Sequence, residues 1–164
     1  MNIHSTRPLF VANRLREVLL SGTWIANTNF KEQILATTFK EAIFKIDSFN
    51  TIAALTYHIQ YYVSGLIEVF KGGQLLISDR YSFDFSPIAS EEDWNSLVST
   101  FIKKAEEISI LIEKLPDSIL DEIFVDEKYG TYLRNIEGLI EHAYYHLGQV
   151  VMLRKMIAMF LKSA

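Results

Sequence analysis

His142 and His146 stand four residues apart in the stretch Ile140-Glu141-His142-Ala143-Tyr144-Tyr145-His146-Leu147-Gly148-Gln149-Val150. On a helix the two rings share one face, one turn apart. Two imidazoles so placed can grip one metal ion. A third ligand must then come from another part of the chain, and His58 is the best candidate. The remaining histidine, His4, belongs to the N-terminal stretch and is given no role. The same face carries further polar groups. Asn135, His142 and Gln149 recur every seven residues, so polarity runs along what should be a packed seam, and buried polar groups need partners or a ligand. On the segment around His58, the small residue Gly65, like Gly138 near the pair, leaves room beside such a site.

Several other chemistries are excluded. The chain has no cysteine, which removes a thiolate zinc site, a disulfide framework and a cysteine nucleophile together. The Glu-x-x-His pairs of di-iron bundles are absent. Glu141 precedes His142, whereas the general base of a His-Glu-x-x-His metalloprotease follows its first histidine. Each residue also has a plainer reading. A lone His58 is a hydrogen-bonded, partly buried histidine. Tyr61-Tyr62 and Tyr144-Tyr145 are core or interface aromatics. Gln149 is a hydrogen-bond partner behind a ligand.

The elements that must position these residues are helical. Ser5 or Thr6 caps a first helix over Leu9 to Leu20, with Pro8 in its first turn and Leu9, Val11, Leu15, Val18 and Leu19 as its apolar stripe. Trp24 to Asn29 reads as loop. Short helices follow over Lys31 to Ala36, capped by Asn29, and over Lys40 to Ile46, capped by Thr37 or Thr38. A long helix over Asn50 to Lys71 keeps Ile52, Leu55, Ile59, Tyr62, Leu66 and Val69 at a period near 3.6 and stops at Gly72-Gly73. The segment from Gln74 to Ala89 is a long connection, and such a connection is usually functional or a crossover. Ser90-Glu91-Glu92-Asp93 opens the next helix, to Leu115, with acidic residues where the helix dipole favours them. Pro116 ends it. A second irregular connection, Asp117 to Gly130, carries a short extended excursion at Phe124-Val125 and Tyr129-Gly130. Thr131 caps the last long helix, to Lys162. Four long amphipathic helices with two long connections point to an all-α, four-helix bundle with crossovers, whose core is where metal sites are commonly built.

Composition is consistent with this. With 164 residues, 49% hydrophobic and 13% aromatic, the chain is long enough for one domain over 1–164 with a real core, and it is not a disordered chain. The net charge is −4 from 16 basic and 20 acidic residues, with no basic stripe to bind nucleic acid. The N-terminal residues lack the order of a signal peptide. The most apolar tail, Val150 to Leu161, is broken by Arg154 and Lys155 and is too short to span a bilayer. A cytoplasmic protein is expected. The aromatic and apolar excess on a small chain points to a homodimer.

The chain resembles the DinB/YfiT-like superfamily of bacterial four-helix bundles. The resemblance rests on Thr51-Ile52-Ala53-Ala54-Leu55-Thr56-Tyr57-His58-Ile59 and on His142-x-x-x-His146-x-Gly148-Gln149 preceded by Asn135, and it covers the whole chain in helix order. It implies a metal triad of His58, His142 and His146, holding a divalent ion (nickel, zinc, iron or manganese), and frequent homodimers. Some members of the family are thiol-dependent: bacillithiol transferases and mycothiol-dependent maleylpyruvate isomerases.

Two functional readings follow. In the first, the chain is a metal-dependent enzyme. Three neutral imidazoles leave an ion doubly charged with an open position, able to lower the pKa of bound water towards ~7 or to hold a thiolate. Thiol transfer to an electrophile is then one version, with a low-molecular-weight thiol supplied from outside, and hydrolysis of a small-molecule substrate is the other. Tyr61, Tyr62, Tyr145 and Gln149 are the candidate proton or orientation partners. In the second reading, the ion staples a non-catalytic, stress-response or interaction protein. A bundle with no metal at all is the third alternative.

Overall fold

The computed structural model describes residues 6–163. The described residues form six α-helices: α1 (Arg7–Arg16), α2 (Phe30–Leu35), α3 (Phe39–Ala42), α4 (Ile52–Phe70), α5 (Glu91–Glu113) and α6 (Tyr132–Ser163). No strand occurs among the described residues, so the protein is all-α. One isolated antiparallel bridge, Ile123 to Thr131, marks the extended excursion expected before the last helix.

Helix starts follow the capping chemistry in the sequence. The side chains of Thr6, Asn29, Thr38, Thr51 and Ser90 accept from backbone amides in the first turns of α1 to α5. A side-chain oxygen satisfies one of the donors that a helix N-terminus leaves without a partner. Thr38 with Glu41, and Ser90 with Asp93, close full capping boxes. The cap of α4 is Thr51, so this helix begins at Ile52. The short helix expected over Lys40 to Ile46 ends at Ala42: Ile43 still bonds back to the Phe39 carbonyl, but Phe44 turns to the Glu41 carbonyl, three residues back. α1 continues into a π turn, Glu17–Ser21, before Gly22. α4 ends at Phe70 with Lys71 as its cap, and Gly72 follows with φ of 86°, a left-handed value that glycine adopts without a side-chain clash.

The four long helices enclose one core. α4 packs on α5 and α6, and α1 packs chiefly on the same two. Each long helix therefore turns its apolar stripe inward. Val11, Leu15, Leu55, Ile59, Phe101, Ile108, Ile136, Ala143 and Val150 are all buried. Phe30 of α2 tucks against Phe101 with ring centroids 5.3 Å apart. Trp94 of α5 donates from its indole nitrogen to the Thr37 carbonyl at 2.9 Å, tying α5 to the α2–α3 link. Arg154 of α6 reaches the Gln33 side chain at 2.7 Å and the Ala36 carbonyl at 2.8 Å.

The two long connections differ in kind. Residues 71–90 join α4 to α5, which pack directly on each other. Lys71 at the end of α4 pairs with Glu107 in the second half of α5, and Phe85 stacks on Tyr57 near the start of α4, so the segment runs back along α4 as a crossover between parallel helices and covers the histidine end of α4. Residues 114–131 join α5 to α6, which sit on opposite sides of the core, so this segment crosses the end of the molecule. No described helix is long and apolar enough to cross a membrane.

Candidate metal centre

α4 contributes His58 and α6 contributes His142 and His146. His58 and His146 are buried and His142 is partly so. The sequence places His58 one turn after Leu55 and one residue before Ile59, both core residues, so the apolar stripe of α4 carries its ring inward. On α6, Leu139, Ala143 and Val150 do the same for the histidine pair. The three Nε2 atoms meet. His142 Nε2 lies 2.8 Å from His146 Nε2 and 3.1 Å from His58 Nε2. His4 lies outside the described residues.

The three nitrogens lie close enough together to hold a cation. His146 donates from Nδ1 to Gln149 Oε1 at 2.7 Å, which leaves a bare lone pair on Nε2 of the neutral ring. His142 Nε2 carries at most one proton, and that proton can serve His146 or His58 but not both. If His142 Nε2 is bare, it faces the lone pair of His146. Either way one close nitrogen contact lacks a hydrogen bond. A divalent ion answers every lone pair at once. The spacing fits as well: two nitrogens ~2.1 Å from a common centre and near a right angle lie about 3.0 Å apart.

The surroundings hold the rings neutral. Burial pushes all three histidines below the ordinary value of 6.5, with neighbouring imidazoles lowering His58 and His142 further. His142 falls to about 4. Neutral imidazole is the form that binds metal, and protons compete for it. With their values lowered, the three rings stay neutral to a lower pH than an ordinary histidine, which would let them keep a metal below about pH 6.

A prediction follows for the metal-free protein. Between about pH 4 and 6.5 the unfolded chain binds more protons on these histidines than the folded one. Stability must then rise with pH across that window and level off above it. Thermal melts of wild type and His142→Asn at pH 4.5 and 7.5 check this. The wild type should lose more stability on acidification than the variant, and equal losses would contradict the burial of a neutral His142.

The connection over residues 71–90 covers the centre. Phe83 stacks face to face on His58 at 4.1 Å, with 12° between the planes. Tyr62, whose ring is 5.0 Å from His58 and 5.1 Å from His142, donates its hydroxyl to Asp79. Burial and that bond push the Tyr62 phenol up to about 12, so it stays protonated. Tyr61 exchanges hydrogen bonds with the Ser78 backbone at 2.9 and 3.0 Å. Nδ1 of His58 is buried and makes no hydrogen bond, although the Ser82 backbone is close enough to favour a proton on the ring.

The expected partners thus separate. Gln149 bonds a candidate ligand directly. Tyr62 lines the centre. Tyr61 pins the cover and does not touch the histidines. Tyr145 is largely exposed, with its ring 4.8 Å from His146. Asn135 bonds the Tyr129 and Thr131 carbonyls and holds the start of α6. Gly138 borders open space, but Gly65 does not: a Cβ there would meet Ile77 at 2.6 Å, so Gly65 serves close packing of the cover. Phe83, Asp79 and Ser82 are the contributors that spacing did not point to. Their signal was the length of the connection that carries them.

Replacing Gln149 with leucine should lower metal affinity by about 10- to 100-fold, the usual cost of losing a partner that orients a ligand. Competition against a chromogenic chelator measures it, and unchanged affinity would show that Gln149 leaves His146 unaffected.

No family model matches the chain, and no curated protein or solved structure matches it either.

Proposed function

We propose that this chain is a divalent-metal protein of the DinB/YfiT-like type, a four-helix bundle in which His58, His142 and His146 hold one ion. The observation that carries the proposal is the convergence of three Nε2 atoms, at 2.8 and 3.1 Å, around His142, with His146 oriented by Gln149. The set is all-nitrogen and neutral, a donor set that suits zinc, nickel or iron and leaves the ion's charge uncompensated. Bound there, the ion would act as a Lewis acid that acidifies a water or an incoming thiol. The chain's own residues do the rest. Phe83 and the cover keep bulk water from the His58 side. Tyr62, held protonated by Asp79, presents a phenol next to His58 and His142. Gln149 keeps the His146 proton on Nδ1, away from the cluster.

The favoured activity is thiol transfer or hydrolysis on a small molecule, because His142 stays partly exposed. A centre that only stapled the fold would fill all four coordination positions with protein groups, whereas three histidines come together among the described residues. The non-catalytic metal protein is the second reading. Elemental analysis of protein purified without chelator and without a metal column tests the proposal. About one equivalent of a transition metal per chain is expected, and none after reconstitution with zinc, nickel, iron and manganese would overturn it. Turnover with a panel of thiols and electrophiles then separates enzyme from staple.

A cytoplasmic homodimer belongs to the same proposal. Met152, Met159, Phe160 and Leu161 of α6 are exposed, and exposed apolar groups in one region favour an interface. Light scattering should report twice the chain mass of 18.9 kDa. A monomer at high micromolar concentration would contradict it.

A further inference from the structure

Beside His142 the surface opens into a recess of about 260 Å³ whose lining includes Tyr62, Leu66, Arg134, Asn135, Gly138 and His142. Its lining combines apolar Leu66 and Leu139 with polar His142 and Arg134. One end is the exposed edge of the histidine cluster. The other is Arg134, eight residues earlier on α6, which corresponds to ~12 Å of helix rise. A glycine sits between them. A Cβ built on Gly138 would meet nothing within 4 Å, so packing does not require a glycine there. Glycine inside a helix costs stability relative to alanine, and here its effect is to leave the middle of the recess unfilled.

The charges around the recess favour an anion at the far end. Arg134 is the one cation among its lining residues. Its guanidinium contacts Glu141 at 3.2 Å through a single nitrogen, and both side chains are more than 60% exposed. An exposed pair of this kind is weak. It leaves most of the five N–H donors of the guanidinium free for a planar, two-oxygen group. The start of α6 adds the positive end of a helix dipole. Two acidic groups oppose, Glu141 on Arg134 and Asp79 behind Tyr62, and the second already accepts the Tyr62 hydroxyl.

Resting on the metal reading above, we propose that this recess is the substrate pocket of the centre and takes a small, elongated molecule bearing a carboxylate, which Arg134 anchors while the other end reaches His142. Arg134 is a specificity-determining residue in this arrangement, and Gly138 keeps the path between the ends open. A single guanidinium suits a carboxylate, since a phosphate dianion generally calls for more cationic partners.

Two probes of equal length test it on the zinc-loaded protein, 6-mercaptohexanoate and 6-mercaptohexanol, by titration calorimetry. The acid should bind about tenfold tighter than the alcohol, as expected for one added charge-assisted contact. Arg134→Gln should bring the two to equal affinity. Gly138→Leu should weaken both. Elemental analysis should find the metal content of both variants unchanged. Equal binding of the two probes by wild type, or a preference that survives Arg134→Gln, would overturn the pocket while leaving the metal centre standing. If the wild-type protein takes up no metal, the metal reading fails instead. The recess is then judged on the metal-free protein with hexanoate and hexanol. Amide shifts at Arg134 and Gly138 induced by hexanoate alone support it, and no shift with hexanoate overturns it.

Discussion

His142→Ala is expected to lower metal affinity by more than about 100-fold, since loss of a residue that merely orients a ligand already costs 10- to 100-fold. His142 is the shared neighbour in the cluster, the ring whose Nε2 approaches both His146 and His58. Removing it leaves two donors on different helices. The fold should tolerate the change, because His142 is partly exposed and its nearest ring contacts are the other histidines and Tyr62. Circular dichroism should be unchanged while bound metal disappears from dialysed samples. His4→Ala is the control and should bind metal as the parent does. A His142→Ala protein that retained one equivalent would show that these rings are not the ligands.

The largest loss of stability is expected at Trp94. Its side chain is among the largest fully enclosed ones and is 2% exposed. It also supplies the indole donor for the Thr37 carbonyl at 2.9 Å. Trp94→Ala therefore opens a cavity and removes the donor for a buried acceptor. Substitutions of this size in a packed core cost about 3–5 kcal/mol, a large share of a typical domain's ~5–15 kcal/mol. Trp94→Phe keeps most of the volume and removes the donor, which should cost about 1–3 kcal/mol. Urea denaturation of the two variants measures both. If Trp94→Phe were as damaging as Trp94→Ala, the indole hydrogen bond and not packing volume would dominate. If neither shifted the midpoint, the link between α5 and the α2–α3 segment would contribute nothing.

The helices were legible because their evidence is local. Apolar period, caps and glycine stops act within one or two turns, and Asn29, Thr38 and Ser90 mark helix starts in both sequence and structure. The four-residue spacing of His142 and His146 is local too, so their shared face needed only helix geometry. His58 belongs to a different element, 84 residues from His142. Its approach depends on α4 packing against α6, which the apolar stripes permit and which only the packed core decides. The cover was less legible still. Nothing in the pattern of residues 71–90 places Phe83 on His58 or Asp79 on Tyr62, because a loop's path is set by what it rests on and not by its own period. The same holds for glycines. Gly65 and Gly138 are alike in sequence. Tertiary structure presses Ile77 against the first and leaves open space above the second, because the cover lies over one face of α4 and stops short of the start of α6.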